Sequence, residues 1–395
     1  MEDKRIIEFR DDNDRPGVLR LHLELDLKYV NDEELRILKR YGSMKQAISR
    51  DILVPSDITL HALSYAILRM FGWQNEHLHS YSLPEKVFEE LTDNQFSTWS
   101  KMAGVYFRFP TEDYEDIYWD DDCKEGENIK SWMKKKYTGP YRYKGCGEYY
   151  LINQIEVQCM FSRCDEITVR EFDFSAKKQP EPYNVKLREA TIDQVIHAFS
   201  DIVCHELIER LPLVDVLCMK NNTEVNLTEV KKYINAELSK IDVCDAIDEY
   251  WNKKFGSVKQ EKDFLAEYNI TALPVTEQLC YSYDYGDGWE VLITCENAYK
   301  NNEAALWKDM EGKEADVSVD YLEEVVAKRR PMCIKKDGIE LVDDVGGISG
   351  FCGMLQTIYE CNMDDQDELD ERNDTLEWAE MQGWTGGWID PKQTL

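Results

Sequence analysis

Tyr281-Ser282-Tyr283-Asp284-Tyr285-Gly286-Asp287-Gly288-Trp289-Glu290-Val291-Leu292-Ile293 alternates aromatic and polar residues, breaks at Gly-Asp-Gly, then resumes in period two with Trp289, Val291 and Ile293. Period two is the signature of a strand. Glycine tolerates the backbone angles that a tight turn or a bulge requires. The stretch therefore reads as strand, sharp irregularity, strand. Two carboxylates, Asp284 and Asp287, flank the irregularity. They either bond the local backbone amides or belong to a site.

Working outward, residues 18–30 alternate almost strictly, with Leu19, Leu21, Leu23, Leu25 and Leu27 on one face. Arg20, His22, Glu24, Asp26 and Lys28 take the other, so this is a half-buried strand with a solvated His22. Ile52-Leu53-Val54-Pro55 is a short strand ended by proline. A helix follows, capped at Asp57 or Thr59, with an apolar stripe of Leu60, Leu63, Ile67, Met70 and Phe71 and a stop at Gly72. His61 falls off that stripe and is expected to be exposed. The chain then turns into a strand that puts His77, His79 and Tyr81 on one face. A His-x-His on a strand can aim two imidazoles at one metal, or the two rings simply pack beside Trp73.

Residues 92 to about 280 have another texture. Their first half is rich in Trp and Tyr and holds a dense acidic-aromatic run from Asp113 to Asp122. EF-hand spacing is missing there, so it reads as a solvated loop. The second half reads as helical, with residues 191–211 forming one helix whose polar face carries His197, Asp201, His205 and Glu209. His205-Glu206-Leu207-Ile208-Glu209 lacks the second histidine of a zincin motif and is discounted. Further on, residues 302–330 read as a charged helical piece. Asp343-Asp344-Val345-Gly346-Gly347 reads as a loop feeding a helix, where amides can hold an anion but two aspartates favour a cation. Residues 361–375 read as an acidic surface tail, and Trp378, Trp384 and Trp388 as the end that docks back.

The composition sets the remaining bounds. At 395 residues, 43% of them hydrophobic, two domains or one domain with a large insertion are expected. A net charge of −31 disfavours non-specific nucleic-acid binding and suits a basic protein partner or cations. No apolar run approaches the roughly 20 residues of a membrane helix. A cytoplasmic protein with free thiols among its 12 cysteines is expected.

Several of these pieces, in this order, carry a resemblance: Val54-Pro55-Ser56-Asp57-Ile58-Thr59-Leu60, Phe71-Gly72-Trp73, His77-Leu78-His79, Tyr283-Asp284-Tyr285-Gly286-Asp287-Gly288-Trp289-Glu290 and Asp344-Val345-Gly346-Gly347, with Trp378 and Asp390-Pro391. The chain resembles the plasmid pRiA4b ORF-3-like family, also described as transposon passenger proteins. The resemblance covers residues 17–91 and 281–395. It implies an α+β fold with a mixed or antiparallel sheet and flanking helices. The core would be discontinuous, 1–91 and 281–395, with 92–280 an inserted subdomain, first aromatic and acidic, then helical. It also implies an association with plasmids and mobile elements but brings no activity. Where members show Cys-Pro-Pro-Glu-Asp, this chain has Glu340-Leu341-Val342-Asp343-Asp344, so no cysteine can pair there with Cys333.

Three functions stay open. The first is a non-catalytic accessory module that binds a macromolecule, with Trp73, Tyr81, Tyr283, Tyr285, Trp289, Gly346 and Gly347 as contact candidates. No P-loop, G-x-S-x-G, H-E-x-x-H or Rossmann fingerprint opposes it. The second is a phosphoester hydrolase in which His77, His79, Asp284, Asp287 and Asp344 hold a divalent metal and activate water. The third is an acidic mimic of nucleic acid, suggested by net charge alone.

Overall fold

A computed structural model describes residues 15–108, 123–137, 163–199, 205–219, 227–239, 241–253, 256–265, 274–301 and 306–386, with scattered positions from 151 to 159 and residue 203. The acidic-aromatic run 113–122 lies outside the described residues, as do Trp388 and Asp390-Pro391.

The first part of the chain runs β1 (Val18–Leu25), α1 (Asp32–Arg40), β2 (Ser49–Pro55), α2 (Leu60–Phe71), β3 (His79–Ser82), α3 (Glu85–Thr92) and α4 (Phe96–Met102). The middle adds α5 (Ile129–Lys136), the small hairpin β4 (Glu166–Val169) and β5 (Tyr183–Lys186), then α6 (Ile192–Ala198), α7 (Leu227–Leu238), α8 (Val243–Asn252) and α9 (Val258–Leu265). The last part is β6 (Gln278–Tyr283), β7 (Trp289–Asn301), β8 (Trp307–Asp309), α10 (Val319–Lys328), β9 (Met332–Asp337), α11 (Gly347–Glu360) and α12 (Gln366–Met381).

The main sheet has the order β3-β6-β7-β1-β2-β9, with β8 paired to β7. Every pairing in it is antiparallel, which resolves the mixed-or-antiparallel expectation for an α+β fold. β1 behaves as its alternation dictates. Leu19, Leu21, Leu23 and Leu25 enter the large core beneath α2, while Val18 faces the other way into a smaller core with Leu53, Tyr299, Trp307 and the α10 residues Leu322 and Val325. β2 is buried along its whole length because helices cover it on both faces. Thr59 caps α2 by accepting from the Ala62 amide, and Gly72 closes it at φ 96°. The sequence reading passed over α1, although Asn31 and Glu34 form a full capping box there.

Three expectations are corrected. The helix predicted for 191–211 stops at Ala198, and residues 205–217 run irregularly across the frame. There they donate from Leu207 N to Tyr81 O and from Leu213 N to Ile58 O, and accept at Leu211 O from Leu60 N. Backbone satisfaction by the frame replaces the helix ladder. The strand expected to carry both histidines begins only at His79. His77 sits in the preceding loop, where Asn75 takes φ 63°. Among the described residues of the charged piece 302–330, only α10 is helical, with β8 ahead of it. The acidic tail does lie on the surface, largely as the helix α12, started by Asp365 accepting from the amides of Asp367 and Glu368. Beyond it Trp384 is buried and its indole donates to Glu340 O at 3.4 Å, so the end does dock back.

Part of the stretch read as an insertion is continuous with the main core. Phe96, Trp99, Tyr106, Leu207 and Leu213 are fully buried in the cluster that holds Leu21 and Leu63. No helix among the described residues is long and apolar enough to cross a membrane.

Candidate functional site

The break at Gly-Asp-Gly is a hairpin turn between β6 and β7, with Tyr283 opposite Trp289. Asp284 adopts a left-handed conformation, φ 49°, and its Oδ1 accepts from the amides of Gly286 and Asp287 at 3.0 and 3.3 Å. One oxygen therefore fixes the turn. The other, Oδ2, lies 3.6 Å from His77 Nε2. Asp344, also left-handed at φ 55°, brings its Oδ1 to 3.1 Å from the same nitrogen. One imidazole nitrogen and two carboxylate oxygens from three separate segments thus lie within 4.8 Å of one another.

Two further features hold this cluster together. The Gly346 amide donates to Asp287 Oδ2 at 3.1 Å, tying the 343–347 loop to the turn. Asp343 is buried, and its Oδ2 accepts from Gln74 N and from the Tyr283 hydroxyl at 3.2 Å. Its Oδ1 is also buried and meets no hydrogen-bond donor among the described residues. Burial pushes the Asp343 carboxyl up to about 7, against the lowering pull of the Gln74 amide, Tyr283 and His77. His77 Nε2 is buried as well, without a well-aligned hydrogen bond despite its two carboxylate neighbours. Two carboxylate oxygens converging on an imidazole nitrogen are a donor set that a divalent cation satisfies.

The structure divides the residues singled out from sequence. His77, Asp284 and Asp344 come together. Asp287 takes the loop amide instead of facing His77. His79 belongs to another cluster, with Glu209 and His61: His79 Nε2 and His61 Nδ1 stand 3.2 and 3.3 Å from Glu209 Oε2. A loop residue and a strand residue do not share the strand's period, so the His-x-His pair does not aim at one point. His61, expected to be exposed, is half-buried there, with its Nε2 3.2 Å from the Tyr65 hydroxyl. Glu209, read as a polar helix face, is wholly enclosed. Burial pushes its carboxyl up, but His79 and His61 outweigh it and hold it at about 2.

Among the contact candidates, Trp73, Tyr81, Tyr283 and Trp289 are core side chains and offer no surface. Trp73 stacks between Phe71 and Tyr283, at 5.1 and 5.0 Å between ring centroids. Only Tyr285 among these aromatics is exposed. Gly346 and Gly347 serve the contact between loop and turn. Sequence reasoning missed His61 and Glu209 as site residues, while Asp343 reads with Asp344 as favouring a cation. His61 and Glu209 lie 148 residues apart and carried no usable signal.

No curated protein matches the chain. Among solved structures, the crystal structure of a protein of unknown function, MM3350 from Methanosarcina mazei Go1, is similar at 12% identity and a TM-score of 0.31, over 96% of this chain and 99% of that one. The sequence match is more local. It starts at the end of α1, passes through β2, α2 and β3, and ends just beyond α4, short of the β6–β7 turn and inside the stretch read as an insertion. Over residues 40–105 the chain matches the family model described as plasmid pRiA4b ORF-3-like protein, which is the family the sequence was found to resemble.

Proposed function

We propose that the chain is a cation-organised accessory module that binds a basic protein partner on the face built by His77, the β6–β7 turn and the 343–347 loop. The observation that carries this is the convergence of two left-handed aspartates, Asp284 and Asp344, on one imidazole. Left-handed backbone costs a non-glycine residue roughly 1 kcal/mol or more, so two such aspartates at one point favour a positional role. Leu78 and Tyr285 flank the cluster and are both substantially exposed, giving it an apolar and aromatic rim. The net charge of −31 favours a basic partner and opposes a polyanionic one. The association with plasmids and mobile elements is part of this reading, as is a cytoplasmic setting.

A hydrolase is the second reading, and one observation favours it. The Asp344 side chain is 50% exposed, so an ion held there has a solvent-facing side on which a water could be activated toward a phosphoester. The test of the first reading is thermal unfolding with Mg2+, Mn2+ or a chelator, on wild type and on Asp284→Asn with Asp344→Asn. A ligand at a hundred times its Kd stabilises by about 2.7 kcal/mol. We expect the melting temperature of wild type, and not of the double variant, to rise with metal. Equal responses in the two proteins would remove the reading.

A further inference from the structure

We infer that His61, His79 and Glu209 form a zinc site, separate from the His77 cluster and independent of the function proposed above. The donors are His61 Nδ1, His79 Nε2 and Glu209 Oε2, contributed by α2, β3 and the irregular segment 205–217. All three lie within 4.8 Å of one another, and both nitrogens approach the same carboxylate oxygen.

The spacing matches a tetrahedral zinc shell. Zinc bonds of about 2.0–2.1 Å at tetrahedral angles put neighbouring donors about 3.3 Å apart. The two N to O separations here are 3.3 and 3.2 Å. A charge-assisted hydrogen bond is shorter, about 2.7–2.9 Å. The tightest such pair among those of His22 is its Nδ1 at 2.6 Å from Asp51 Oδ1, while its Nε2 stands 3.2 Å from the exposed Glu24. Both Glu209 contacts are longer than the Asp51 pair by more than half an ångström, with the two carboxylates equally buried.

The surroundings agree. Glu209 is 5% exposed, and a buried carboxylate needs compensation by a cation or a well-made pair. The Tyr65 hydroxyl lies 3.2 Å from His61 Nε2, placed to accept its proton and leave the Nδ1 lone pair facing Glu209. Two imidazoles with one carboxylate select zinc over magnesium or calcium, which prefer all-oxygen shells. Three protein donors leave one tetrahedral position for a water.

The experiment titrates the intact chain with Co2+ and then Zn2+. Tetrahedral Co2+ gives intense visible bands, whereas Co2+ held loosely by surface carboxylates does not. Wild type should show those bands at one equivalent, and Zn2+ should displace them. His79→Ala and Glu209→Gln should abolish them, and Tyr65→Phe, which removes only the orienting hydroxyl, should weaken Zn2+ binding by roughly 10–100-fold. Asp284→Asn with Asp344→Asn should leave the bands intact, which separates this site from the cation at His77. X-ray absorption on zinc-loaded wild type covers the case of a variant that fails to fold. Two imidazoles in the zinc shell support the site; an all-oxygen shell, absence of the bands in wild type, or their persistence in folded His79→Ala and Glu209→Gln overturns it.

Discussion

Gly347 lies against the β6–β7 turn so closely that a Cβ built on it would stand 2.4 Å from the carbonyl oxygen of Asp287. The residue also takes φ 66°, a region that disfavours side chains. Together with the Gly346 amide on Asp287 Oδ2, this contact sets how far the 343–347 loop stands from the turn, and hence the distance between Asp344 and Asp284.

Gly347→Ala is therefore expected to destabilise the fold and to pull the two aspartates apart. Left-handed backbone alone costs an alanine about 1–2 kcal/mol, and the clash with backbone cannot be relieved by a side-chain rotation. Chemical unfolding should show a loss of at least about 2 kcal/mol. Asp287→Ala, which removes only an exposed hydrogen bond, should cost about 1 kcal/mol. Equal losses in the two variants would mean that the close approach is not what fixes the loop.

The second prediction concerns pH. His22 on β1 and Asp51 on β2 are direct cross-strand partners, 2.6 Å apart. Arg20, Glu24 and Lys335 also face the pair. The hydrogen bond to Asp51 raises the His22 pKa against a smaller opposing effect of burial, with Glu24 adding to the rise. Burial pushes Asp51 up, but His22, Lys335 and Arg20 outweigh it and leave its pKa lowered. A raised histidine contributes stability below its unfolded pKa of about 6.5 and loses it as pH rises through the folded value. A lowered aspartate contributes above about 3.9 and loses it as pH falls through its folded value. The pair therefore supports the fold most between about pH 4 and 6.5. His22→Gln should cost about 1–2 kcal/mol at pH 5.5 and distinctly less at pH 9. A flat difference across that range would show that the charge on His22 contributes nothing.

How far the sequence could be read follows from what each signal depends on. β1, the β6–β7 hairpin and α2 were legible because period two, period 3.6, Thr59 and Gly72 are local signals. His77 with Asp284 and Asp344 was reachable because each residue sits beside a backbone irregularity written in glycines or a loop. Glu209 was not. Its neighbourhood has helical spacing, and the frame's open groups at Leu60, Tyr81 and Ile58 won the backbone from the helix. The buried aromatics failed for a related reason. Trp73, Tyr283 and Trp289 stand in sequence beside polar residues, yet Trp73 stacks on Tyr283 at 5.0 Å and meets Trp289 at a tilt at 5.6 Å, and all three are buried in the core. Sequence alternation gives a face; it does not say which face a neighbouring helix will cover.

Arg50 supplies the last prediction. It is 1% exposed and pairs with no carboxylate among the described residues; instead its guanidinium donates to four main-chain carbonyls, those of Met70, Ser49, Asp337 and Ile339. Its charge lies over the Phe71 ring at 5.1 Å. One side chain thereby closes the C-terminal end of α2, the edge strand β9 and the chain leading to Asp343. Burial lowers its pKa to about 10, which still leaves it charged at neutral pH. Arg50→Met keeps much of the apolar stem but strands the carbonyls, each at about 1–3 kcal/mol where water cannot reach. The expected loss is at least about 3 kcal/mol, with faster amide exchange in 337–343 than in β1. Arg50→Lys should recover only part of it, because one ammonium cannot span carbonyls arranged for a planar fork. Full recovery by lysine would show that the charge, and not the fork geometry, is what this position requires.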